Sequence, residues 1–169
     1  MLEYLMKIPI TLAKILVALS FFIQGCTSST DIQTEYHQEL SCLTELLFYE
    51  ARGTGAKGMA AVATVVRNRT NLKGFPSTYC GVSKQHRQFS FHQDKHNQYI
   101  DKNPYSLDTA AFTLAGTVAY LTLNDRLVAP FGGSTAYYHT QEVKPSWAKK
   151  MKVVLRDKFH VFYSDVKNK

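Results

Sequence analysis

Cysteine is scarce in this sequence: three residues in 169, too few to scaffold a disulfide-rich miniprotein. Repetition is missing too. No Gly-X-Y period, no heptad run and no self-similar segment of roughly 20–50 residues occurs, which excludes collagen, coiled coils and solenoids. Acidic residues are the minority charge, 13 against 20 basic, for a net +7. A basic balance suits acidic polymers, among them peptidoglycan, teichoic acids and membrane surfaces. Nucleic acid is the weaker fit, since no nucleic-acid-binding motif is present. Apolar residues are not lacking. At 45% of the chain they support one globular domain rather than a disordered one.

The front of the chain reads separately. Lys7 and Lys14 precede an apolar run from Ile15 to Ile23, nine residues long. A membrane-crossing helix needs about 20, whereas a signal h-region takes roughly 7–15. The run ends in Ile23-Gln24-Gly25-Cys26, followed by polar Thr27-Ser28-Ser29-Thr30. This looks like a bacterial lipobox, in which cleavage before Cys26 leaves its thiol to carry a lipid. Ordinary signal cleavage nearby, or an uncleaved anchor reaching back toward Ile8, are the competing readings. Export leaves Cys42 and Cys80 as an even pair in an oxidising compartment, hence a disulfide candidate. The loop between them, about 38 residues, would be worth about 3–4 kcal/mol when closed. Two buried thiols that never meet are the alternative.

Along the mature chain, residues 27–35 are Ser/Thr/Gln-rich and read as a tether. Leu40, Leu43, Leu46 and Leu47 mark one face of a helix over about 35–51. The glycine-rich Arg52–Gly58 break follows. Met59–Val66 is apolar nearly all round and predicts a buried central helix over about 56–69. Ser77 is the expected cap of a short turn through Val82, and Gln88–Phe91 a short strand. A helix over about 106–123, started by Ser106 and Asp108, presents Ala111, Leu114, Ala115, Val118 and Leu121 to the core. Two β-rich pieces, 134–140 and 152–164, flank Trp147. The sum is α+β: a helical core with a small antiparallel sheet or hairpin toward the C-terminus.

One carboxylate stands out. Glu50 lies four residues after Leu46 and three after Leu47, so it shares their buried face. Glu45, about 140° round the helix, points to water. Partial desolvation and the negative end of the helix dipole both favour the protonated form of a carboxyl placed there. A general acid for a glycosidic oxygen needs that property. A buried bridge from Glu50 to Arg52 or Arg67 is the structural alternative.

Glu50-Ala51-Arg52-Gly53, preceded by Cys42–Tyr49, resembles the signature of the spore cortex-lytic, SleB-type family of cell-wall hydrolases. Gly58–Arg69, Phe75-Pro76-Ser77, Cys80-Gly81-Val82 and Gln88-Phe89-Ser90-Phe91 continue in that family's order. So do Ala136-Tyr137-Tyr138-His139, Pro145-Ser146-Trp147 and His160–Tyr163, so the resemblance covers about residues 40–163. Thr54 stands where the family often has an acid, and Tyr137 where it often has His. The resemblance implies a lysozyme-like domain acting on peptidoglycan glycan strands, with Glu50 as the catalytic acid. The implied organisation is a lipoprotein-type signal peptide over 1–25, a tether over 26–36 and a catalytic domain over 37–169. The protein is expected in the cell envelope, held to the membrane by its N-terminus, acting as a monomer and needing no cofactor.

Hydrolysis of a glycoside takes two carboxylates, and Glu142, near Tyr138 and His139, is the best second one. Asp94, Asp101, Asp108 and Asp125 suit solvated or capping roles. A lytic transglycosylase needs only one, because the muramoyl C6 hydroxyl attacks its own anomeric carbon. The lone Glu50 therefore favours cleavage of the MurNAc–GlcNAc β-1,4 bond by transglycosylation. Substrate contacts are expected from Ser90, Tyr137, Tyr138, His139 and Trp147, with Tyr137 and His139 on one strand face and Tyr138 on the other. A zinc amidase or peptidase is the metal rival, but His92 and His96 lack the intervening Glu of HExxH, and no metal site is expected. A wall-binding lipoprotein with a structural Glu50 is the non-enzymatic rival.

Overall fold

The computed structural model describes residues 29–86, 88–89 and 107–165. The leader, Cys26, Ser90, Phe91, His92, Asp94, His96, Asp101 and Ser106 lie outside them. Residues up to Glu35 form one compact unit and Tyr36–Lys169 another. Of the first, the described part is the beginning of helix α1 (Ser29–Ala51), where Thr34 Oγ1 donates to the Thr30 carbonyl at 2.8 Å. Residues 29–36, read from composition as a tether, are therefore helical.

The second unit holds the core. On α1, Leu43, Leu46, Leu47, Phe48 and Ala51 are buried. Helix α2 (Gly55–Asn71) is enclosed over Ala61–Val66, as an all-apolar run requires. Gly55, at φ 68°, opens it in the left-handed region. Gly58 is needed for closeness: a Cβ there would overlap the Thr54 side chain. A short helix α3 (Tyr79–Ser83) is capped by Thr78, one residue beyond the expected Ser77. Thr78 is extended, and its hydroxyl accepts from Gly81 N at 2.9 Å. Glu39 on α1 accepts from Tyr79 N at 2.6 Å, and a disulfide joins Cys42 to Cys80 with Cα atoms 5.1 Å apart. Three residues apart on α1, Glu39 and Cys42 thus both hold α3.

Helix α4 (Leu107–Leu123) buries Ala115, Val118, Ala119 and Thr122. Its inner stripe is turned from the expected one: Thr122, which back-bonds to the Val118 carbonyl at 2.7 Å, goes inside instead of Leu121. Gln88 and Phe89 are not in a strand; Phe89 is a buried core residue.

Strands β1 (Thr135–Thr140), β2 (Lys152–Arg156) and β3 (His160–Ser164) form an antiparallel sheet of order β1-β3-β2. The β-rich piece over 152–164 is itself a hairpin. Its turn lacks Gly and Pro, and Asp157 Oδ1 replaces their effect by accepting from Phe159 N (2.7 Å) and His160 N (2.6 Å). A bulge at Ala136 breaks the β1–β3 register. The side chains at the end of α2 fill that gap. Arg69 Nε donates to the Ala136 carbonyl at 2.8 Å, while Asn68 Nδ2 donates to Gly132 and Thr135 carbonyls at 2.9 and 2.8 Å. This clamp fixes β1, and with it Tyr138, against the helices. Among the described residues no helix is long and apolar enough to cross a membrane.

Candidate active site

Glu50 ends the core face of α1, half-buried, with the glycine turn directly behind it. Across from it, β1 points Tyr138 inward. The Tyr138 hydroxyl donates to Glu50 Oε2 at 3.0 Å. The Tyr138 ring is held edge-on by His160 (5.3 Å) and against Phe162 (5.7 Å). Burial first, and the neighbouring Glu50 charge second, push the phenol well above its ordinary range. Tyr138 therefore keeps its proton and remains a donor throughout the working pH range.

A third arginine, which spacing did not suggest, also acts on Glu50 by its charge. Arg52 pairs with Asp108 at 3.6 Å on exposed surface, and Arg67 acts on Tyr79. Arg69, 4% exposed, lies between the rings of Phe75 (5.4 Å) and Phe89 (5.6 Å). Burial draws its affinity for a proton down, while Tyr138, Tyr137 and Glu50 oppose that pull. Its Nη1 is buried without a hydrogen-bond partner among the described residues, and its side chain lines the same cavity as Glu50. The sequence signal that could have singled it out is its place at the end of the Gly58–Arg69 motif, where Asn68 and Arg69 follow the apolar run.

Two cavities meet at Glu50. One, of about 290 Å³, is lined by Tyr49, Arg52, Thr54, Glu142, Lys158 and His160, with Glu50 at its edge. The other, of about 540 Å³, is lined by Arg69, Tyr137, Tyr138, His139, Trp147 and again Glu50. Glu50 and Thr140 belong to both. Glu50 thus lies where two arms of a groove adjoin, one lined largely by charged side chains and the other largely by aromatic ones.

Strand alternation holds on β1. Tyr138 faces the helices, while Tyr137 and His139 face Trp147, at 5.9 and 5.7 Å between rings. His139 is tied at both nitrogens. Nδ1 is 2.7 Å from the Thr140 carbonyl, which can only accept, so Nδ1 carries a proton, and Nε2 is 2.7 Å from the Tyr163 hydroxyl. Its ring stacks on Tyr163 at 5.2 Å, which backs the aromatic arm. Trp147 both packs on Tyr163 (5.5 Å) and lines the groove. Glu142 is exposed on the rim of the smaller cavity. Among the described residues no three His, Cys, Asp or Glu side chains converge to hold a metal ion.

Comparison with known proteins supplies the relatives. A spore cortex-lytic enzyme of Oceanobacillus iheyensis is 36% identical over 67 residues, 39% of this chain and 24% of that enzyme. The chain therefore matches about a quarter of that relative's length. The catalytic domain of the germination-specific lytic transglycosylase SleB of Bacillus anthracis superposes with a TM-score of 0.59 at 23% identity, over 75% of this chain and 93% of that one. The SleB catalytic domain of Bacillus cereus gives 0.60 at 21% identity, over 76% and 91%. Both share the fold of this chain: a helical core carrying a small antiparallel sheet at its C-terminal end. The pattern of the cell wall hydrolase family matches residues 53–163, from the turn behind Glu50 to Tyr163 near the end of β3. With most of its length matched in this way, the chain belongs to the cell wall hydrolase family.

Proposed function

We propose that this chain cleaves peptidoglycan glycan strands at the MurNAc–GlcNAc β-1,4 bond as a lytic transglycosylase, with Glu50 as its acid and base. The observation that carries this reading is the placement of one half-buried carboxyl at the meeting point of two groove arms. Glu50 gives its proton to the glycosidic oxygen as the bond from that oxygen to the muramoyl C1 breaks. The C6 hydroxyl of the same residue then closes on C1, and its proton returns to Glu50. No water is consumed, and one carboxyl serves both halves. Tyr138 holds the carboxyl in line, and the Arg69 charge supports the carboxylate that exists between the two transfers. Tyr137, His139 and Trp147 offer ring faces to sugars on one side; Ser90 belongs to the same set by sequence position alone.

A second reading follows from Glu142, which shares the smaller cavity with Glu50 and could activate water for hydrolysis. Mass spectrometry of digested sacculi separates the two. Transglycosylation gives anhydro-muramoyl ends, lighter by one water than the reducing ends that hydrolysis leaves.

A cell wall hydrolase works in the envelope, outside the cytoplasm. We further propose that residues 1–25 direct export, that Cys26 carries the lipid and that the start of α1 serves as a short helical tether to the catalytic domain. Metabolic labelling with a fatty-acid probe, lost on Cys26→Ala, tests that part.

A further inference from the structure

Behind the turn after Glu50 lies a third cavity, of about 470 Å³, that the cleavage reaction leaves unused. Its walls are apolar, formed by Ala60, Val128, Pro130, Leu155 and Phe159, with Lys57 and Lys158 among them. Val128 is 87% exposed and Phe159 38%, so apolar surface is presented to solvent there. Asp157 is the acid of this wall, and its Oδ1 is already occupied by the backbone N–H groups of Phe159 and His160. Neither lysine enters an ion pair among the described residues. The cavity adjoins the charged arm of the groove, and Thr54, Lys158 and Phe159 line both.

We propose that this cavity is the subsite for the peptide borne by the muramoyl residue. A short peptide with free carboxylates and small apolar side chains matches two lysines set in an apolar wall. The assignment rests on the glycan-cleaving reading above, and it also fixes the direction of the strand. The muramoyl sugar whose C1 is attacked lies in the arm of about 290 Å³, with its peptide passing over Thr54 into the third cavity. The departing GlcNAc side lies in the aromatic arm.

The test compares the full-length protein on peptide-bearing strands and on the same strands stripped of peptide by an amidase. The wild type is expected to show a higher kcat/KM on peptide-bearing strands, by roughly 3–10-fold, the scale of one or two contacts near the surface. Lys57→Glu and Val128→Asp change exposed residues that line only the third cavity, and a new acid in the first turn of α2 suits the helix dipole. Both are expected to bring the ratio down to about one while the rate on stripped strands stays unchanged. An unchanged ratio in both variants, or an equal loss on both substrates, would overturn the subsite and leave the glycan-cleaving reading standing. A wild type that releases anhydro or reducing ends from neither substrate would overturn that reading and the subsite with it.

Discussion

Tyr138 reaches across the groove to donate a 3.0 Å hydrogen bond to Glu50 from a strand 88 residues further along the chain. This contact joins the end of α1 to β1 at the groove centre. It makes the aim of the carboxyl depend on the Arg69 and Asn68 clamp that holds β1 in place.

Tyr138→Phe removes the donor and leaves the ring packing on His160 and Phe162. Unfolding temperature is expected to change little, because the ring still fills its site. Strand cleavage is expected to slow by roughly 10–100-fold, toward the lower range for removal of one oriented donor. Turnover on purified sacculi, set beside a thermal melt, checks both halves.

Gly58→Ala places a Cβ into the Thr54 side chain, which itself donates to the Ala51 carbonyl at 2.7 Å. The turn directly behind Glu50 must shift to make room. A loss of roughly 1–3 kcal/mol in urea unfolding is expected, with reduced turnover. Gly53→Ala is the control, since nothing lies within 4 Å of a Cβ there. It is expected to leave stability nearly unchanged.

His160 gives the stability a pH dependence of known sign. Burial lowers its pKa below the ordinary 6.5, with Asp157 opposing that shift and His139 adding to it. Below about 6.5 the unfolded chain takes up a proton that the folded ring still refuses, so protons favour unfolding. This contribution is complete above 6.5 and is lost as pH falls through the folded value. Melting temperatures from neutral to mildly acid pH are expected to fall less steeply for His160→Gln than for the wild type. Parallel slopes would count against the assignment.

The elements easiest to read from the sequence were those whose neighbours lie close along the chain. Met59–Val66 predicts a buried helix because it is apolar nearly all round, and Glu50 is placed on the core face by its spacing from Leu46 and Leu47. Long-range partners left no local trace. Arg69 is held by a carbonyl 67 residues away, and nothing near it in sequence identifies that acceptor. Glu39 caps a helix 40 residues downstream by the same kind of distant pairing. The β-rich character of 152–164 is legible, but the turn inside it is not, because an Asp side chain makes that turn without Gly or Pro. The two arms of the groove bring together residues from α1, α2, β1 and the hairpin turn, and the third cavity draws on α2 and the hairpin again. Such concavities exist only after these elements have packed.

The most direct test of the account is the release of muropeptides from sacculi by Glu50→Gln, compared with wild type at equal folded protein. The amide oxygen can still accept from Tyr138, so the fold should persist, but the side chain has no proton to give. Release is expected to fall by about 10²–10⁴-fold. Release at the wild-type rate, from protein with an unaltered melt, would contradict the assignment of Glu50 as the acid.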